Sequence, residues 1–382
     1  MAEKETNDGK ARSFRTAKFV ILIVLFALLL TGLVAFRDEI TLENVRYLIK
    51  YLNFGSESTG EVSPIVYDAD SSNRFEVYRG DLAVVNPSGL TLYEQSGKVA
   101  LTDSFRMSNP TISVGDKYLL VYDLGGYNLR VYNSFSLLFE KNFNIIRCAD
   151  INNNGFFSVA TSEKGYHSAV ITYNSDFKEI SRSLFSDKFT ADLSLSDGGN
   201  LTVATLRTTD SGTLTSDFVT VRTGTDDESR TVTREDEMPL LVGNAGNRTA
   251  FVLTDRTLYA VSGDKVNGER DLSEKQVEKC VFGDGVCAVT ENELLVGVNL
   301  SLTIYDETLT PLLTRRFSTP VQDLAAEGKK VFVLTRDMLY ILEAGKDERT
   351  VELDGEYTDV LPLSGETVLL CSDYRAIPRK IS

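Results

Sequence analysis

The sharpest chemical spacing in the chain is Asp150-Ile151-Asn152-Asn153-Asn154-Gly155. Oxygen donors at positions 1, 3 and 5, with glycine at 6, match the first half of an EF-hand-type calcium loop. The twelfth position, where a bidentate carboxylate should close the loop, is Thr161, and Glu163 falls two residues late. The same place in neighbouring repeats holds glycine turns (LSDGG, VGNAG, FGDG, AAEG). Asn and Asp favour such turns because they tolerate left-handed backbone and bond locally. Asp150, Asn152 and Asn154 therefore read as a turn first and as a metal site only second.

Other chemistry is hard to assemble from these residue types. His167, in EKGYHSAV, is the only histidine, so HExxH and histidine-based triads have no second partner. No serine sits in a GxSxG turn, and no GxxxxGK[ST] or GxGxxG cradle exists for a phosphate. Cys148, Cys280, Cys287 and Cys371 lie in apolar runs (IIRCADI, EKCVF, VCAVT, VLLCS) and read as small buried hydrophobes. Cys280 and Cys287 flank the tight turn 282–286, which leaves a bridge there as the alternative. Paired carboxylates are the one open enzymatic route: among 55 acidic residues, only a fold can bring two to face each other. No catalytic residue and no cofactor is expected.

The elements that must carry these residues begin with Phe19–Phe36, FVILIVLFALLLTGLVAF, which has no charge. At a helical rise of about 1.5 Å it spans roughly 27 Å, close to a bilayer's hydrocarbon core. Lys18 and Arg37 bracket it, and bulky Phe36 stands where signal cleavage wants a small residue. The expectation is an uncleaved single-pass helix over 18–37 that holds the protein in the cell membrane. Lys4, Lys10, Arg12, Arg15 and Lys18 lie before it, so the tail 1–17 is expected inside the cell and the rest outside.

Beyond the membrane segment, Val45, Leu48, Ile49 and Leu52 repeat at i, i+3, i+4, i+7, which predicts an amphipathic helix over 38–54. Residues 55–60, GSESTG, form a linker by composition. The chain of 382 residues carries a net charge of −15, more negative still outside the tail, so phosphate backbones and anionic headgroups are repelled. Nucleic acid is excluded as a partner.

From Glu61 to Ser382 helical periodicity gives way to short runs rich in Val, Leu, Thr, Tyr and Phe, cut by Gly, Asn, Asp and Ser. LAVVNPSGLTLYE (82–94), AFVLTDRTLYAVS (250–262) and VFVLTRDMLYILE (331–343) copy one another, and looser copies recur about every 40 residues. Each copy follows another short strand that ends on a glycine turn. Four strands per repeat at this period predict a β-propeller, because radial packing covers both faces of sheets that cannot bury them alone. First strands are expected near Arg74, Thr111, Ile145, Ala191, Pro239, Val277, Val321 and Asp359. The fold class is thus all-β, eight-bladed with seven as the alternative count, preceded by one transmembrane helix. The last blade holds only three strands, and Val62–Asp68 is expected to supply its fourth. Thr208–Ser216 and Thr223–Glu237 read as polar insertions in the fourth repeat, the second as a mobile rim segment.

The strand pattern resembles WD40-type and quinoprotein-type propellers, although with no Trp the tryptophan motifs of both are missing. The layout of basic tail, membrane helix, a segment like ITLENVRYLIKYLNFG and then a degenerate propeller is similar to an uncharacterised Gram-positive bacterial family of unknown function. That resemblance implies no activity. The expected role is a non-catalytic binding or scaffolding platform for an envelope protein, peptide or glycan. The alternative is an extracytoplasmic polysaccharide hydrolase or lyase using carboxylates in the propeller funnel.

Overall fold

Among the described residues, thirty-two strands, β1 to β32, pair antiparallel into eight four-stranded sheets. The computed structural model describes residues 64–225, 228–292, 297–364 and 366–381. The expected tail (1–17), membrane helix (18–37), juxtamembrane helix (38–54) and linker (55–60) lie outside the described residues. Among the described residues no helix is long and apolar enough to cross a membrane.

The first strands of the sheets are β2 (Arg74–Tyr78), β6 (Pro110–Val114), β10 (Ile146–Ile151), β14 (Phe189–Leu195), β18 (Pro239–Asn244), β22 (Gln276–Gly283), β26 (Val321–Glu327) and β30 (Asp359–Ser364). Each touches the first strands of both neighbouring sheets, and β30 touches β2, so they form a closed ring around a central channel. The fold is an eight-bladed propeller, and each first strand starts within two residues of its expected place.

Second strands such as β7 (Leu119–Asp123, LLVYD), β19 (Ala250–Thr254, AFVLT) and β27 (Lys330–Thr335, KVFVLT) are buried almost end to end. Their continuous apolar character follows from having a neighbouring blade on each face, where an alternating strand would bury polar groups. Outer strands such as β5 (Val99–Ser104) and β9 (Leu137–Asn142) alternate and reach solvent. The core is divided accordingly into eight apolar clusters, one per seam between successive blades.

The ring closes through the chain ends. β1 (Ile65–Val66) pairs with β32 (Arg375–Lys380) as the outer strand of the last blade, Ile65 opposite Ala376. The clasp is shorter than the expected 62–68, but Ile65 and Tyr67 are buried and join the seam between the last and first blades with Leu82, Leu369 and Cys371.

The fourth blade differs from its expected form. Residues 208–216 are not an insertion: β15 (Asn200–Thr208) and β16 (Leu214–Arg222), nine residues each, extend one hairpin. Within 223–237, β17 (Arg230–Glu235) completes the sheet with Val232 buried. A threonine-rich strand looks like a polar insertion in sequence, yet Thr suits a pleated surface and its hydroxyl finds partners there.

Because each blade is fully antiparallel, its loops fall on two opposite faces. The inner strands begin on one, here the entry face, together with the loops between second and third strands. The glycine turns that follow the inner strands lie on the other, the exit face.

Candidate functional site

The inner strands carry acidic side chains in six of the eight blades: Glu76, Asp150, Asp192, Glu278, Asp323 with Glu327, and Asp359. Three of them tie one blade to the next. Asp192 Oδ2 accepts the Val242 amide at 2.7 Å, and Asp323 Oδ2 accepts the Val360 amide at 3.0 Å. Asp150 Oδ2 accepts the Leu195 amide at 2.9 Å, while its Oδ1 accepts the Ser113 hydroxyl at 2.8 Å, so it links three blades. The backbone arranges this. In β10, β14, β18, β22 and β26 the register slips just inside the entry face, the last residues before the slip being Ile146, Thr190, Pro239, Val277 and Val321. A bulge re-aims the side chain that follows it; in two of these blades that side chain is Asp192 or Asp323.

Glu76, like these three, has the amide of the next residue beside its carboxylate, here Val77. It retains some solvent contact but is enclosed by protein on nearly every side. Enclosure first, then the charges of Asp323 and Asp359, push it up to about 7. Burial likewise pushes Asp192 up to about 7, with the Asp150 charge adding and the Val242 amide opposing. Asp323 is pushed up to about 6 by burial, against its bond from Val360. Burying like-charged carboxylates together disfavours their ionised forms.

A cavity of about 420 Å3 opens beside Glu76 and Asp359, walled also by Arg74, Asn109, Thr111 and Leu124. All belong to the entry face or the strands leading from it. That face also collects apolar surface. Among the described residues, thirteen large hydrophobics are exposed, and eight of them lie on the entry side of blades two to five. In blades two and three these are Leu124, Tyr127, Tyr166 and Leu184; in the next two they are Phe189, Met238, Leu240 and Leu241. The arc has internal contacts. The loop bearing Tyr127 is held to Ile146 by backbone bonds, the Arg147 guanidinium lies 5.2 Å over the Phe189 ring, and His167 meets that ring edge-on at 4.7 Å.

Asp150 sits in the channel, whereas Asn152 and Asn154 sit on the exit-face turn. Asn152 is buried; its Oδ1 accepts the Phe156 amide and its Nδ2 donates to the Ser196 carbonyl. Asn154 Nδ2 donates to the Asp197 carbonyl. The three side chains are thus directed to different partners. Among the described residues no group of three or more His, Cys, Asp or Glu could hold a metal ion. His167, on the entry face, contacts the Ser186 carbonyl through Nδ1. The four cysteines are free thiols, with the Cys280 and Cys287 sulfurs 3.8 Å apart.

Sequence reasoning missed the entry-face arc and the channel carboxylates as groups. A faint signal existed: an acidic residue recurs inside otherwise apolar first strands (RFEVY, CADI, TADLSL, VQDLAAE). Which of these face one another depends on closure of the ring.

Residues 57–376 match a family of unknown function, DUF5711. The chain belongs to that family. The DUF5711 propeller is similar to the C-terminal WD40 domain of Sif2, with a TM-score of 0.54 at 13% identity over 85% of this chain and 98% of that one. It is similar also to BamB from Moraxella catarrhalis, with a TM-score of 0.52 at 11% identity over 84% of this chain and 97% of that one. Apo AztD from Citrobacter koseri gives a TM-score of 0.53 at 10% identity over 80% of this chain and 92% of that one. At such identities the likeness is one of fold. No curated protein matches the chain.

Proposed function

We propose that this DUF5711 chain is a membrane-anchored platform that binds a partner outside the cell through the entry face of its propeller. The observation that carries the reading is the gathering of exposed apolar side chains on one sector of one face, in a fold whose own seams are already filled. Scattered exposed hydrophobics need no explanation, but a contiguous patch marks a contact surface. Fold alone assigns no function. Anchoring rests on the uncharged run Phe19–Phe36 and its basic flank.

Two experiments test this. Deleting 19–36 should release the full chain from sedimented membranes, and external protease should cut the propeller in intact cells while sparing the tail. A photo-crosslinking residue placed at Tyr127 should give a discrete adduct in cells that is missing when the residue is placed at Leu312, on the exit side. Adducts at neither position would sink the platform.

A second reading is favoured by one observation. Glu76, raised to about 7, shares a cavity with Asp359, and a protonated acid beside a second carboxylate is the pairing that glycoside hydrolysis uses. Release of reducing ends from envelope polysaccharide, lost in Glu76→Gln, would establish that reading instead.

A further inference from the structure

We propose that the partner seated on the entry face is a polypeptide segment that is apolar along one side and basic at one end. Its apolar side would lie on the arc and its Lys or Arg side chain would enter the Glu76–Asp359 cavity. This rests on the platform reading and adds the chemistry of the partner.

Leu124 joins the two halves of the surface, since it is exposed as part of the apolar arc and also walls the cavity. Tyr127 lies on the same loop as Leu124, that loop is bonded to Ile146, and the neighbouring Arg147 guanidinium lies over the Phe189 ring, so the arc leads away from the cavity through these residues. The cavity volume of about 420 Å3 falls in the range of sites that take small ligands or single side chains.

Charge selects the occupant. Glu76 and Asp359 line the cavity and Asp323 faces Glu76, against one cation on the wall, Arg74. The entry-face loops beside it add Asp68, Asp70, Glu356 and Asp373 against Arg106, exposed on the loop that ends at Asn109, and Arg336, which is paired to Glu356 at 3.2 Å. A second copy of this chain would bring acid against acid, at a net charge of −15 per chain. Anionic headgroups are disfavoured for the same reason. A basic and apolar segment satisfies both halves of the surface, and complementary charge fixes its direction across the face.

The test uses the full chain in nanodiscs of zwitterionic lipid, with empty nanodiscs as the blank. Three labelled synthetic peptides of equal length are titrated by fluorescence anisotropy: one of Leu and Lys, one of Leu and Glu, and one of Ser and Lys. The Leu–Lys peptide should bind, and the other two should bind at least about tenfold more weakly. Glu76→Gln with Asp359→Asn, and separately Leu124→Ser with Tyr127→Ser, should each weaken the Leu–Lys peptide by about tenfold or more, whereas Leu312→Ser should leave it unchanged. Equal binding of the Leu–Glu peptide, indifference to both variant pairs, or no binding at all overturns the proposal. So does a concentration-dependent dimer, seen in sedimentation, that Tyr127→Ser abolishes, since a second copy would then be the occupant. If the peptides fail while Tyr127 still crosslinks in cells, the partner chemistry falls and the platform stands; if both fail, both readings fall.

Discussion

The Tyr67 hydroxyl donates to the Ser372 carbonyl oxygen at 2.7 Å, across 305 residues of chain. The Tyr67 ring packs 5.2 Å from Phe75 of the first blade, so one side chain grips both sides of the closing seam. Its hydroxyl is held well above the usual phenol range, chiefly by burial and then by Cys371. A neutral buried hydrogen bond is worth about 1 kcal/mol, and truncating a buried aromatic costs about 3–5 kcal/mol. Tyr67→Phe should therefore lower the stability of the full chain by about 1 kcal/mol and Tyr67→Ala by about three times that, read by chemical denaturation. Equal losses would mean that the ring contributes nothing to closure.

Gly243 faces the ring of Phe282 in the next blade, and a Cβ there would lie 2.1 Å from Phe282 Cδ2. Phe282 cannot swing away freely because it stacks on Phe251 at 5.8 Å. Gly243→Ala should cost about 1–3 kcal/mol by overpacking. Phe282→Leu in the same chain should recover part of that loss, and a double-mutant cycle with no coupling would contradict the contact.

The channel acids make stability depend on pH in a stated direction. Glu76 and Asp192 both rise to about 7 in the fold. An acid whose folded value is raised binds more protons folded than unfolded, so stability falls as pH rises from about 4 to about 7. The penalty is absent below about pH 4 and complete above about pH 7, on the order of 3 kcal/mol per group. Glu76→Gln should raise the unfolding midpoint at pH 8 and leave it unchanged at pH 4. A gain of equal size at both values would show that ionisation is not the cause.

Asp217 acts with the opposite sign. Burial alone would raise it, but Lys188 at 2.8 Å, the Thr233 hydroxyl and Arg207 at 3.1 Å outweigh that and hold it below the usual carboxylate range. Its contribution is present above about pH 4 and lost as pH falls further. Asp217→Ala removes the shared partner of two half-buried cations and should cost about 1.5–3 kcal/mol at pH 7. The loss should shrink when measured near pH 3.

Cys148, Cys287 and Cys371 are buried, and burial holds each thiol well above its ordinary value. The thiolate is the reactive form. Iodoacetamide should leave these three unlabelled in the native chain and label all three after unfolding, as read by peptide mass spectrometry. Native labelling of Cys148 would contradict its place in the seam.

The sequence by itself determined the propeller: the repeat period, the eight first strands and the need for an N-terminal strand to complete the last blade. Those features are local. A strand buried on both faces must be continuously apolar, and a tight turn must carry glycine or asparagine, so LLVYD, AFVLT and VFVLT announce their place. It misjudged the fourth blade because Thr-rich strands and polar insertions share a composition. Only the tertiary structure decided what the surface can do. Glu76 and Asp359 stand in the first and the last blade, and they share a cavity because β30 closes the ring against β2. Tyr127, Phe189 and Leu240 each look like an ordinary strand-end residue. They form one arc because blades are wedged side by side with their entry loops on a common face, an arrangement set by radial packing that no local spacing encodes.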